Sequence, residues 1–223
     1  MRQPKRTLAI FDCDGTLVDS GDNICRALAR SATAAGRPVP PRAAMHRIIG
    51  LSLHEAMADL HPDACPETRD RLAQGYKDAF VAMRAEGEVH EPLYDGIADV
   101  IATLADDGWL LGVATGKSDR GLRACLDRHG LRDRFVTLQT ADGNPSKPHP
   151  GMVEAALAEA GVSAADAVLI GDTSWDVLMA RAAGVTAIGV TWGYHDAAAL
   201  REAGADHLVD RPAELLPLLR SGA

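Results

Sequence analysis

From about residue 95 onward, short apolar runs alternate with helix-length stretches, and this alternation restricts the fold more than any other feature of the 223-residue chain. Runs rich in apolar and β-branched residues fall at Leu8 to Phe11, Leu110 to Ala114, Phe135 to Leu138, Ala167 to Ile170 and Thr186 to Val190. Continuous apolar runs of this length suit strands buried on both faces, and intervening helices make consecutive strands parallel. Gly130, Gly161, Gly184 and Gly204 fall where helices should end, and Ser118, Ser163 and Ser174 where helices or turns should begin.

The segment from 20 to 91 breaks this rhythm. It reads as four helical stretches, Asn23 to Ala35, Pro41 to Ile49, Leu53 to Leu60 and Pro66 to Ala85, with no strand among them. The expected architecture is therefore α/β: a Rossmann-like parallel sheet core with helices on both faces, formed by 1–19 and 92–223, and an α-helical cap of residues 20–91 inserted after the first strand. Ligands of such sheets sit at the carboxyl ends of the strands, so an insert springing from that end would lie over the site as a lid.

Candidate chemistry gathers at the same ends. The first strand stops at Asp12-Cys13-Asp14-Gly15-Thr16, which puts two carboxylates at i and i+2. Along an extended segment these project to one side, roughly 6.5 to 7 Å apart, with Cys13 turned away from them. A bare Asp-Gly turn would look the same. Three later signals occur in chain order: Thr115-Gly116-Lys117 after the second run, Lys147 between prolines, and Asp172 with Asp176 after the fourth run. A hydroxyl, an open backbone N–H and a cation at a helix start suit a phosphate. Singly, each could be a cap, a turn or a solvated charge; jointly they mark one site.

Composition narrows the partners. A net charge of −8 repels nucleic acid and anionic membranes, so a phosphate substrate needs local help from a hard divalent cation held by the aspartates. Cys13, Cys25, Cys65 and Cys125 form no CxxC pair, so neither a zinc site nor a disulfide framework is expected. The apolar runs are too short to span a bilayer, and the basic start Arg2, Lys5 and Arg6 leads into a short strand. A cytoplasmic protein, monomeric or homodimeric, is the default expectation.

The ordered set Asp12-Cys13-Asp14-Gly15-Thr16-Leu17-Val18-Asp19-Ser20, Ala114-Thr115-Gly116-Lys117, Ser146-Lys147-Pro148-His149-Pro150 and Gly171-Asp172-Thr173-Ser174-Trp175-Asp176 resembles the haloacid dehalogenase superfamily, in its phosphoglycolate phosphatase-like branch. The resemblance covers nearly the whole chain. It implies a phosphomonoesterase in which Asp12 is the nucleophile and Asp14 the general acid and base. Mg²⁺ would be held by Asp12, the backbone carbonyl of Asp14 and Asp172, with Asp176 orienting a metal-bound water or Lys147. Thr115, the N–H of Gly116 and Lys147 would bind the phosphoryl oxygens of a small phosphorylated metabolite.

The family often carries Asn where this chain has Gly116. Asp14 argues against branches that lack a second acid, and Ile24 stands where related hexose-phosphate mutases have a histidine. A sugar-phosphate phosphatase or pyrophosphatase remains an alternative, as does a non-catalytic phosphate-binding regulator, which would not need Asp14. Arg42, Arg47, His54, Lys77 and Arg84 of the insert could meet the distal part of a substrate, although each reads first as a solvated helix charge. Trp175, Trp192 and Tyr194 serve equally as packing residues or site walls.

Overall fold

The computed structural model describes residues 7–221, so the basic start Arg2, Lys5 and Arg6 lies outside the described residues. Six parallel strands form one sheet: β1 (Leu8–Phe11), β2 (Leu110–Thr115), β3 (Thr137–Thr140), β4 (Ala167–Gly171), β5 (Thr186–Val190) and β6 (His207–Val209), in the order β3-β2-β1-β4-β5-β6. This is the doubly wound arrangement, whose strand order reverses between β1 and β4.

Alternation along β1 makes the two halves of the core. Ala9 and Phe11 face a cluster built with Ile97, Val100, Ile101 and Leu104 of α5 (Ile97–Asp106), Leu122 and Cys125 of α6 (Asp119–Arg128), and Leu215 and Leu219 near the C-terminus. Leu8 and Ile10 face the other cluster, with Met152, Val153 and Ala156 of α7 (Gly151–Ala160), Met179 and Ala180 of α8 (Ser174–Ala183), and Leu200 of α9 (Ala197–Ala203). Helices therefore cover both faces. Cys13 continues the Ala9 and Phe11 side into the first cluster, away from the acids.

Residues between β1 and α5 form the helices Gly21–Ala34, Arg42–Arg47, Leu53–Leu60 and Pro66–Ala85, here α1 to α4. They share an apolar cluster of their own, including Ile24, Leu28, Met45, Met57 and Leu72. The two crossings to the sheet lie side by side. Asp19 N–H donates to Pro92 O at 2.9 Å, Tyr94 N–H to Leu17 O at 3.1 Å, and Val18 bridges Leu93 antiparallel. No helix among the described residues is long and apolar enough to cross a membrane.

One local expectation needs correction, and two details lay outside the sequence pattern. The third strand starts two residues later than the apolar run at Phe135: a 3-10 turn over Arg132–Arg134 delivers Phe135 to the core, and pairing with β2 begins at Gly112 and Thr137. As an edge strand, β3 tolerates Thr, Gln and Thr, so the apolar-run criterion set its boundary too early. The strand β6, three residues beginning with a histidine, gave too weak a pattern to be seen. Helix α8 begins at Ser174 as expected, and Thr173 caps it: the Thr173 hydroxyl accepts from Asp176 N–H and Asp176 accepts from Thr173 N–H in a capping box.

Leu104 is fully buried where α5 meets the sheet. Leu104→Ala should lower unfolding stability by about 2–5 kcal/mol, read from the urea midpoint at constant slope, as expected for a truncation in a packed core.

Candidate active site

Asp12 and Asp172 follow the adjacent strands β1 and β4, where the sheet order reverses. The backbone holds Asp12 in the sheet for one more residue, since its N–H donates to Ile170 O at 2.9 Å. Gly15 then turns the chain with φ +88°, and a Cβ there would lie 2.2 Å from Asp172 Oδ2. Only glycine allows both that backbone and that approach.

The site is a closely held set of buried charges. Carboxylate oxygens of Asp12, Asp172 and Asp176 lie within 4.8 Å of one another. Lys147, 1% exposed, reaches Asp12 Oδ1 and Asp176 Oδ1 at 2.7 Å each. Asp176 Oδ2 accepts from the Thr173 N–H and hydroxyl at 3.1 and 2.6 Å, so both of its oxygens are engaged. Asp172 accepts from the Thr16 hydroxyl at 2.9 Å and from Tyr194 N–H at 2.8 Å. Asp12 Oδ2, shielded from solvent, accepts no hydrogen bond among the described residues. An orphaned carboxylate oxygen is expensive to bury, which fits a position completed by a ligand.

Burial pushes Asp12 up to about 7, against the pull of Lys147 and with the added repulsion of Asp176 and Asp14. Burial, Asp12 and Asp176 likewise raise Asp172 well above the usual carboxylate range. Burial opposes the charge on Lys147, but Asp12 and Asp176 outweigh it and hold the ammonium above the ordinary lysine value. Three carboxylates against one ammonium leave an excess of negative charge in a dry pocket. A hard divalent cation with oxygen ligands suits that donor set and that imbalance.

Asp14 belongs to a second group. Its Oδ1 accepts from the Ser20 hydroxyl and lies 2.6 Å from Lys117 Nζ, which also sits 2.9 Å from Glu91 Oε1. Burial opposes the Lys117 charge, and Asp14 and Glu91 more than restore it. Lys117 had read as part of a phosphate cradle. Instead it bridges the acid after β1 to the acid at the return crossing. Ser20 and Glu91 had signalled only domain crossings, and nothing in their local pattern marks them as neighbours of Asp14. Tyr194 stands beside this group: its hydroxyl accepts from Ser20 N–H at 3.1 Å, and its side chain packs against the insert's apolar cluster.

Thr115 is buried at the end of β2 and its hydroxyl accepts from Lys117 N–H at 3.2 Å. A Cβ on Gly116 would lie 2.5 Å from both the Gly50 and Leu51 carbonyl oxygens. The insert thus rests its 47–52 loop directly on this glycine. Ser52 N–H donates to Ser146 Oγ at 2.8 Å nearby, and Trp175 Nε1 donates to Arg47 O at 3.3 Å. Of the insert charges, Arg42 pairs with Asp22, Arg47 with Asp59 and His54 with Asp70, whereas Lys77 and Arg84 line the cavity between insert and sheet.

The family model described as haloacid dehalogenase-like hydrolase matches residues 9–190. The chain is 34% identical over 215 residues to a protein named probable phosphatase IndB from Dickeya dadantii (strain 3937), covering 95% of this chain and 92% of that one. It is 28% identical to a phosphoglycolate phosphatase of Yersinia pseudotuberculosis serotype I, over 94% of this chain and 91% of the relative. A crystal structure described as a predicted phosphatase from Clostridium acetobutylicum superposes with a TM-score of 0.87 at 27% identity, covering 98% of this chain and 100% of that one. Fold and site define an α/β hydrolytic enzyme with its acids at the strand ends. The chain belongs to the haloacid dehalogenase-like hydrolase family.

Two expectations follow. With its folded value near 7 against an ordinary 3.8, Asp12 binds more protons folded than unfolded between those limits. Stability of the metal-free protein should therefore fall as pH rises from about 4 through 7. Melting temperatures in a chelator should drop between pH 5.5 and 8. A hard divalent cation should restore them most at pH 8, and Asp12→Asn should flatten the slope. Separately, Gly116→Asn forces a side chain against two backbone carbonyls. It should destabilise by about 1–3 kcal/mol and speed hydrogen exchange in residues 47–52.

Proposed function

We propose that this protein is a Mg²⁺-dependent phosphomonoesterase that hydrolyses a small phosphorylated metabolite through an aspartyl-phosphate on Asp12. The observation that carries the reading is the buried meeting of Asp12, Asp172 and Asp176 with Lys147, in which one Asp12 oxygen is left without a donor. The names of the relatives support a phosphatase over other hydrolases, and phosphoglycolate is the substrate that some of them suggest.

Asp12 and Asp172, with the Asp14 carbonyl, would hold the ion, while Asp176, both of its oxygens engaged, keeps Lys147 in place. When bound, Mg²⁺ would offset charge on the phosphoryl group and keep Asp12 ionised. An Asp12 oxygen attacks phosphorus in line. The bond from phosphorus to the leaving oxygen breaks as Asp14 passes that oxygen its proton. Water then attacks phosphorus, Asp14 takes the water proton, and the bond to Asp12 breaks to release phosphate. Lys147, the Thr115 hydroxyl and the Gly116 N–H stabilise the non-bridging oxygens, where charge must be balanced. Residues 20–91 act as the cap over the core of 1–19 and 92–223, and their closure excludes bulk water.

An assay of p-nitrophenyl phosphate and a metabolite panel, with and without Mg²⁺, tests this. Asp12→Asn should abolish turnover, and Asp14→Asn should lower kcat by about 10²–10⁴-fold, the usual contribution of a general acid and base. Turnover that persists in Asp12→Asn overturns the mechanism.

A further inference from the structure

The cavity between the insert and the strand ends holds ≈ 750 Å³, and Asp14, Gly116 and Lys117 stand on its core side. Such a volume is that of a site for a ligand of drug-like size. Glycolate has five non-hydrogen atoms and would occupy at most about 150 Å³ on the scale of about 30 Å³ per water, so it would leave most of the space empty.

One stripe of α4 forms part of the insert side of the cavity, beside residues of α1 and of the 48–56 segment. Tyr76, Lys77, Phe80, Val81 and Arg84 are spaced i, i+1, i+4, i+5 and i+8, and all five line it. The helix turns Leu72, Ala73 and Met83 into the insert's own packing. The Tyr76 and Phe80 rings lie 5.0 Å apart, and Val81 is 53% exposed on this wall. This is an apolar surface wide enough for a ring.

The cavity also carries cations without partners, Lys77 and Arg84 on this stripe and Arg120 on α6. Among the described residues the side chains of Lys77, Arg84, Arg120, Arg134 and Arg201 make no hydrogen bond or ion pair, and the first three of these line this cavity. Many other arginines of this acidic protein find carboxylates, as Arg26 does with Glu88 and Arg123 with Asp119. Arg84 Nε is shielded from solvent and has no acceptor. An unpaired guanidinium with one nitrogen shielded from water suits a carboxylate or phosphate brought by a ligand.

We propose that the leaving group of the substrate is a ring-sized apolar body ending in a second anionic group, seated on Tyr76, Phe80 and Val81 with its anion on Arg84, and that Lys77 and Arg120 add to the field there. The assignment rests on the phosphatase reading of the site and deepens it: Arg84 sets specificity, and a two-carbon leaving group is a poor fit.

The test compares 2-phosphoglycolate, phenyl phosphate, 4-carboxyphenyl phosphate and 1,4-phenylene bisphosphate. For at least one of the two doubly anionic aryl esters, kcat/KM should exceed that for phenyl phosphate by about tenfold or more, mainly through KM, and should exceed that for phosphoglycolate further. The ester with the larger gain identifies the anion. In Arg84→Gln the ratio of doubly anionic ester to phenyl phosphate should collapse to about one, with partial recovery in Arg84→Lys, which keeps the charge and loses the fork. Melting curves check that both variants fold. Binding of the same esters to Asp12→Asn, with and without Arg84→Gln, separates the two claims. Arg84-dependent binding without turnover by the wild-type protein would sustain the pocket and sink the phosphatase reading. A ratio unchanged in Arg84→Gln and Arg84→Lys, or a preference for phosphoglycolate, would overturn the pocket assignment.

Discussion

The attraction of Lys147 for Asp12 and Asp176 is what makes this site possible. Burying three carboxylates side by side is unfavourable, and a single ammonium at 2.7 Å from two of them supplies the first compensation. The rest comes from fixed donors: the Thr16 hydroxyl and Tyr194 N–H on Asp172, and the two Thr173 donors on Asp176. Compensation is incomplete at Asp12, whose carboxyl is pushed up to about 7. A protein selected only for stability would place apolar groups there. The retained imbalance is a standing demand for a cation.

Around that centre the chain arranges two layers of control. Asp14 is tied through Lys117 to Glu91, which lies at the return crossing from the insert, while Ser20 at the outgoing crossing holds the same carboxylate. Any rotation of the insert about these paired crossings moves groups that touch Asp14. The 47–52 loop sits on Gly116 and Ser146, so the insert meets the sheet at the crossings and again at this loop. Between those contacts lies the cavity, apolar and cationic on the α4 wall and acidic at its base.

Several parts of this arrangement could be read from residues in order. The apolar runs at Leu8, Leu110, Ala167 and Thr186 became strands because their periodicity is local, and carboxylates placed right after them land at the strand ends by the geometry of a parallel sheet. Asp12 and Asp172 were legible for that reason, and Asp176 and Lys147 through the ordered set of motifs. Glu91 was not, since it earns its place through Lys117, far along the chain. The choice between packing and site at Tyr194 rested on its remote contacts with Ser20 and Asp172. The edge strands β3 and β6 blurred for a related reason: half-exposed strands tolerate polar residues, and the apolar signal fades.

The order of amino acids alone determined the strand-helix rhythm, the helical interruption after the first strand and the sequence positions of the acids, because these depend on neighbours within a few residues. Tertiary structure decided which oxygen each donor meets, that Lys117 joins two acids instead of facing a phosphate, and that Gly116 makes room for the insert. It also decided which insert cations stay unpaired in the cavity. Those outcomes depend on distances between segments far apart in the chain, and only the packing of the helices on the sheet and of the insert on its edge sets them.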